Sequence, residues 1–249
     1  MARDKIRIGI GGWTYEPWRG TFYPQGLPHA RELAHAAERL GAIEINSTFY
    51  SLQKPESFRK WAAAAPDGFV FTVKASRYCT NRKVLGEAGE AIERFVGQGL
   101  TELGDKLGPI LWQFMHTKRF EQEDFAAFLK LLPAERDGVA LRHALEVRHE
   151  SFVDPVFLAM ARDADAAVVF ADKPGYPTIA DQTGSFTYAR LQDAREDEPT
   201  GYDAAAIDHW AQEARQWAAG GRDVFIFMIN GAKVRAPAAA EALIARLAG

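Results

Sequence analysis

Four pairs of polar side chains share one spacing in this chain: Glu44-x-Asn46, Thr72-x-Lys74, Glu146-x-Arg148 and Tyr188-x-Arg190. In each pair the intervening residue is apolar (Ile45, Val73, Val147, Ala189). An alternation of period two is the signature of a β-strand, whose successive side chains point to opposite faces. Gln113, one residue from the end of the run Ile110–Phe114, fits the same parity, as does Asp172 if its strand continues regularly. Glu44, Glu146 and Asp172 are thereby set against Lys74, Arg148 and Arg190. Carboxylates of this kind serve as general acids and bases, as in the paired carboxylates of glycosidases. A lysine beside arginines is a candidate Schiff-base nucleophile. Guanidinium groups hold phosphates and carboxylates. A self-neutralising charge network is the structural alternative, because a buried ion persists only when it is paired.

These pairs must be positioned by the elements that carry them. Eight short apolar runs cross the chain: Ile6–Ile10, Ala42–Ile45, Phe69–Val73, Ile110–Phe114, Ala144–Val147, Ala167–Phe170, Phe186–Ala189 and Val224–Met228. Helical patterns separate most of them. Eight strands with intervening helices define a TIM-like (β/α)₈ barrel, an α/β fold whose chemistry sits at the strand C-termini. The expected helices begin near His29, Pro55, Glu87, Glu121, Asp154, Asp203 and Ala236. Residues 75–86 read as a polar, basic loop. Between the sixth and seventh strands only Lys173 to Ser185 intervene, with two prolines and two glycines. That is short for a helical crossover, so the sixth helix is expected to be missing or reduced to a turn. A length of 249 residues suits one barrel, and residues 1–249 read as a single domain.

Composition narrows the function classes. A net charge of −3 gives no global attraction to nucleic acid or to an anionic membrane. No apolar run approaches the length of a membrane span, and M-A-R-D-K at the start carries no apolar signal core. A soluble, cytoplasmic protein is the expectation. The one cysteine, Cys79, lies beside Arg77 and Arg82, cations that lower a thiol pKa, but no nucleophile motif surrounds it. Metal-ligand spacings such as H-x-H or H-E-x-x-H are absent, and His149 points away from Arg148, so a metal is disfavoured and no cofactor is assigned. Around the expected mouth, aromatic residues (Trp13, Tyr15, Trp18, Phe22, Tyr23, Phe49, Tyr50) either stack on a ligand or pack as a small core of their own.

The motifs I-G-I-G-G-W at 8–13, E-I-N-S-T-F-Y at 44–50, K-L-G-P-I-L-W-Q-F at 106–114, L-E-V-R-H-E-S-F at 145–152 and Y-A-R-L at 188–191 resemble, in order and spacing, those of the YecE-like family, domain of unknown function 72. The resemblance implies a TIM-like barrel and imports no reaction. The matching positions include Trp13, Glu44, Asn46, Tyr50, Lys74, Gln113, Glu146, Arg148, Asp172 and Arg190. Members often carry R-L-H-G after the seventh strand, where this chain has R-L-Q-D, which removes one histidine as a candidate ligand or base.

The first expectation is therefore a barrel that binds or converts a small anionic molecule, bearing phosphate or carboxylate. Glu44, Lys74 and Glu146 are its catalytic candidates, and Trp13, Asn46, Tyr50, Gln113, Arg148, Asp172 and Arg190 its ligand-binding ones. Exchange of Arg190 or Glu146 is expected to abolish binding and leave the fold intact. The alternatives are a nucleic-acid-binding barrel of endonuclease type, using the basic stretch at 77–83, and a non-catalytic interaction protein.

Overall fold

A computed structural model describes residues 5–249. Met1–Asp4, read above as carrying no apolar signal core, lie outside the described residues. In chain order the elements are β1 (Ile6–Gly11), α1 (Glu32–Arg39), β2 (Ala42–Ile45), α2 (Ser47–Tyr50), α3 (Pro55–Ala64), β3 (Val70–Lys74), α4 (Arg77–Thr80), α5 (Gly89–Val96) and β4 (Leu107–Gln113). They continue with α6 (Gln122–Leu131), β5 (Glu135–Arg136), β6 (Val139–Ala140), β7 (His143–Glu146), α7 (Pro155–Asp163), β8 (Ala167–Val168), β9 (Phe170–Ala171), β10 (Phe186–Leu191), α8 (Ala204–Trp217), β11 (Asp223–Met228) and α9 (Ala236–Ala248).

Nine strands form one parallel sheet in the order β8-β7-β4-β3-β2-β1-β11-β10-β9. The two ends of that order, β8 and β9, are consecutive pieces of a single run, Ala167–Ala171. The sheet therefore curls into a TIM-like barrel of eight strand positions, with the sixth strand split at the seam. β8 pairs with β7 through Ala167 and Val168, and β9 pairs with β10 through Phe170 and Ala171. Thr183 Oγ1 reinforces the split by accepting from Val168 N at 2.8 Å and donating to Ala166 O at 2.7 Å. From Asp172 to Ser185 there is no helix, as the short Pro- and Gly-containing stretch predicts.

The strand parity is visible in the packing. Ala42, Val70, Leu111, Ala144, Tyr188, Phe225 and Phe227 form a cluster inside the barrel. Their neighbours Ile43, Phe71, Trp112, Leu145, Ala189 and Ile226 belong to the cluster under the helices. Helix starts follow from local chemistry: Asp154 and Asp203 cap α7 and α8 by accepting from Val156 N at 2.7 Å and Ala206 N at 2.8 Å.

Two expectations are corrected. The helix predicted from Glu87 onward is broken: α5 stops at Val96, and 3₁₀ turns carry the chain from Leu100 to Lys106. Gly99 has φ +109°, outside the helical region, so the glycine-rich stretch ends the helix that its apolar residues favour. The stretch 75–86 is not wholly a loop. Ser76 accepts from Tyr78 N and starts the single turn α4, which buries Cys79 and Thr80. A small hairpin, β5–β6, joins Glu135 to Ala140 and Arg136 to Val139, and had no signal in the sequence pattern.

Candidate functional site

Five strands of the barrel, β2, β3, β4, β7 and β10, contribute to a single polar network. Arg190, from β10, is its centre. Its Nη2 donates to Glu44 Oε1 at 3.0 Å and its Nε to Glu44 Oε2 at 3.1 Å. Its Nη1 donates to Glu146 Oε2 at 2.5 Å. Arg148 donates from Nε and Nη2 to the other oxygen, Glu146 Oε1, at 3.1 and 2.9 Å. Gln113 Nε2 adds a bond to Glu146 Oε2 at 2.8 Å. Tyr188 Oη donates to Glu44 Oε2 at 2.7 Å and lies 3.0 Å from Thr72 Oγ1, which supplies the proton the tyrosine oxygen accepts. Glu44, Glu146 and Arg190 are all at most 2% exposed. Two buried carboxylates thus share one buried guanidinium, and every oxygen is satisfied. This arrangement is what the low dielectric of the interior demands.

The electrostatics follow. Burial alone would raise the Glu146 carboxyl, but Arg190, Arg148, the Gln113 amide and Lys74 outweigh it and hold it at about 2. Burial opposes the charge on Arg190, and Glu146 and Glu44 more than offset that, keeping it above the ordinary guanidinium range. Tyr188 is pushed up, first by burial and then by the Glu44 carboxylate. Glu146 is therefore a fixed anion rather than a proton donor at neutral pH. Thr72→Val, which keeps shape and removes the hydroxyl, is expected to cost about 1 kcal/mol, the net worth of one buried hydrogen bond. Chemical denaturation checks this; an unchanged midpoint would mean that the Thr72–Tyr188 contact contributes nothing.

Above the network lies a cavity of about 520 Å³. Its wall includes Trp13, Asn46, Tyr50, Lys74, Gln113, Arg148 and Arg190, so seven of the residues singled out from the sequence meet at one opening. Glu44 and Glu146 stand behind the wall, tied to Arg190. Lys74, the last residue of β3, makes no ion pair among the described residues, and its Nζ faces the Phe49 ring at 4.2 Å. Burial, then Arg190, then Arg148, against Glu44 and Glu146, bring its ammonium down to about 8. Arg148 lies over the Tyr176 ring at 5.0 Å. Asn46 Nδ2 reaches the Glu44 carbonyl at 3.4 Å.

Asp172 does not join this group. Its Oδ1 accepts from Gln192 N and its Oδ2 from Tyr202 Oη at 2.9 Å, so it fastens the end of β9 to the chain leaving β10. The interior face of the sixth strand is carried by Ala167 and Val169, while Val168 and Phe170 pack under the helices, so the alternation puts Asp172 on the helix side rather than in the mouth. The first-loop aromatics divide: Trp18, Phe22 and Tyr23 are buried in edge and tilted contacts with each other, while Trp13, packed on Trp61 at 5.3 Å, and Trp18 both line the cavity. Cys79 is buried, and burial pushes its thiol up to about 12 despite Arg82, so it is not a nucleophile. His149 turns to Ser151, accepting from its backbone N at 3.0 Å. No group of three His, Cys, Asp or Glu side chains that could hold a metal occurs among the described residues, and no helix there is long and apolar enough to cross a membrane.

Two further lining residues stand after β11. Lys233 follows β11 and extends over the Tyr15 ring at 4.3 Å, with its carbonyl accepting from Trp18 Nε1 at 2.9 Å. Burial lowers its ammonium pKa. Asn230 donates to Gln192 Oε1 at 2.8 Å. For Lys233 only its position after a barrel strand could have pointed to it.

A parallel α/β barrel with charged side chains gathered at the carboxyl ends of its strands is the general class defined by this fold and site. The family model for the protein of unknown function DUF72 matches residues 7–249, and the chain belongs to that family. It is 26% identical over 150 residues to UPF0759 protein YecE of Escherichia coli K12, covering 59% of this chain and 50% of YecE. It is 25% identical over 157 residues to UPF0759 protein YunF of Bacillus subtilis, covering 61% and 54%. The matched stretch is thus about half the length of these relatives. Among solved structures, a DUF72 family protein from Thermotoga maritima aligns with a TM-score of 0.76 at 21% identity over 98% of both chains. One from Enterococcus faecalis aligns with a TM-score of 0.74 at 17% identity, over 98% of this chain and 96% of that one. These likenesses show the fold.

Proposed function

We propose that the barrel mouth binds a small molecule bearing a phosphate or carboxylate. The observation that carries this reading is the charge of the wall. Lys74, Arg148, Arg190 and Lys233 line the cavity, and among the described residues no carboxylate does. Glu44 and Glu146 behind the wall offset two of these four cations when both lysines are protonated. Lys74 and Lys233 have no ion-pair partner within 4 Å among the described residues, and their lowered pKa values mean that burial is not fully compensated. An anion in the cavity supplies the missing counter-charge. Asn46 and Gln113 offer amides for its polar groups, and Trp13 and Tyr50 offer apolar faces. The volume suits a small metabolite. Burial of Trp18, Phe22 and Tyr23 withdraws most of the first-loop rings from base stacking, which favours this reading over a nucleic-acid interface.

Inorganic phosphate is the first probe. Its addition at constant ionic strength is expected to raise Tm, with a gain of about 2.7 kcal/mol when phosphate reaches a hundredfold excess over its Kd. Arg148→Met combined with Lys233→Met should remove the effect. A rise that chloride reproduces, or that the double variant retains, would overturn the proposal.

A further inference from the structure

We infer that Lys74 captures a carbonyl group of the anionic ligand as an imine, so that the substrate class is an aldehyde or ketone bearing phosphate or carboxylate. This rests on the anion-binding reading above and specifies its reactive half.

The wall holds two amines without an ion-pair partner among the described residues, Lys74 and Lys233, and Lys74 is the one that ends a barrel strand, Lys233 standing in the turn after β11. Arg190 and Arg148 are engaged by Glu44 and Glu146. Among the described residues Lys74 has no such partner, and its Nζ lies over the face of Phe49, which offers no hydrogen-bond acceptor. Its backbone is fixed on both sides of the strand end. The Lys74 carbonyl accepts from Thr48 Oγ1 at 2.7 Å, and Ala75 N donates to Leu111 O at 2.8 Å. The side chain therefore rises from a rigid base into the cavity, at the strand terminus where barrel chemistry is placed. Burial and two flanking guanidinium groups favour its neutral form, the standard activation of an amine nucleophile. Glu44 and Glu146 oppose this, but both already share their charge with Arg190.

In the step itself the neutral Nζ lone pair attacks the carbonyl carbon, and the carbonyl oxygen takes up a proton to give a carbinolamine. The nitrogen lone pair then expels that oxygen, which leaves with a second proton as water, and a protonated imine remains. The sum is ammonium plus carbonyl giving iminium plus water, with one positive charge on each side. Water attack reverses it and frees Lys74. The iminium keeps a cation in a wall that already accommodates one there.

The test uses pyridoxal 5′-phosphate, an aldehyde carrying a phosphate, with cyanoborohydride to reduce any imine to a stable secondary amine. Peptide mass mapping of the intact chain locates the adduct. At pH 7 Lys74 is expected to react about tenfold or more faster than exposed lysines, because a far larger fraction of it is neutral. Inorganic phosphate should slow that reaction, and pyridoxal lacking the phosphate should label Lys74 less. Lys74→Arg should lose the fast phase. The wild-type adduct map decides the matter even if that variant folds poorly. Labelling of Lys74 no faster than surface lysines, with the phosphate effect on Tm intact, would overturn the imine and leave anion binding standing. Loss of both would remove both readings. Fast labelling that phosphate does not slow would keep the imine and remove the anionic half of the substrate class.

Discussion

Arg190→Met is expected to destabilise the fold by about 3–5 kcal/mol, because it leaves two buried carboxylates without their shared cation. Glu44 and Glu146 are at most 1% exposed, so water cannot replace the lost guanidinium without opening the barrel. The variant should also lose any phosphate response, since Arg190 lines the cavity. Urea unfolding reads the first effect. Arg190→Met combined with Glu44→Gln and Glu146→Gln should recover much of the loss, as the charges are then removed together. A loss below about 1 kcal/mol for the single change, typical of exposed ion pairs, would show that the network is hydrated. The sequence alone led to the opposite expectation, that Arg190 and Glu146 could be exchanged without cost to the fold. Their burial and mutual bonding revise it: the guanidinium proposed to hold the anion also holds the fold.

Acid is expected to act through Glu146. Its carboxyl is held at about 2 in the folded chain against an ordinary 4.5, so the folded state binds its proton later than the unfolded state does. Its contribution is present above the unfolded value and is lost as pH falls from about 4.5 through about 2. The total is on the order of 3 kcal/mol, from the free energy of a pKa shift of this size. Asp124 and Asp223 are also held low by cationic partners and add to the slope, so the informative quantity is a difference. Glu146→Gln should unfold with a shallower dependence on pH over this window than wild type. Equal slopes would mean that the ion network does not depress Glu146.

The part of the site that was legible in the sequence was the part set by strand parity. In a barrel both faces of a strand are covered, so Ile43 and Ile45 must pack under helices and Glu44 must face inward; the same logic places Thr72, Lys74, Gln113, Glu146 and Arg190. Parity says nothing about which charge meets which. That Arg190 spans two carboxylates, leaving Lys74 without an ion pair among the described residues, depends on reach across the barrel between strands distant in sequence. Parity also leaves open which of its two sets faces inward where every residue of a run is apolar, as in Ala167–Ala171: the interior set is Ala167 and Val169, which is why Asp172 was misplaced. Lys233 was missed because Asn230 and Gly231, at φ +57° and +51°, turn the chain after β11 in a way that no periodic pattern describes. The aromatic first loop carried two readings because ring composition alone does not distinguish a wall from a core; most of it turned inward.

The split sixth strand gives the ion network a mechanical meaning. The seam is held to its neighbours by two-residue ladders on either side. Arg190 stands on the seventh strand position and Glu146 on the fifth, so their bond spans the seam from the inside like a crossbar behind a door. A ligand that draws Arg190 toward itself therefore also slackens the closure of the barrel, and one that presses Arg190 back onto Glu146 tightens it. Occupancy of the mouth and rigidity of the wall at residues 167–171 become two readings of one bond.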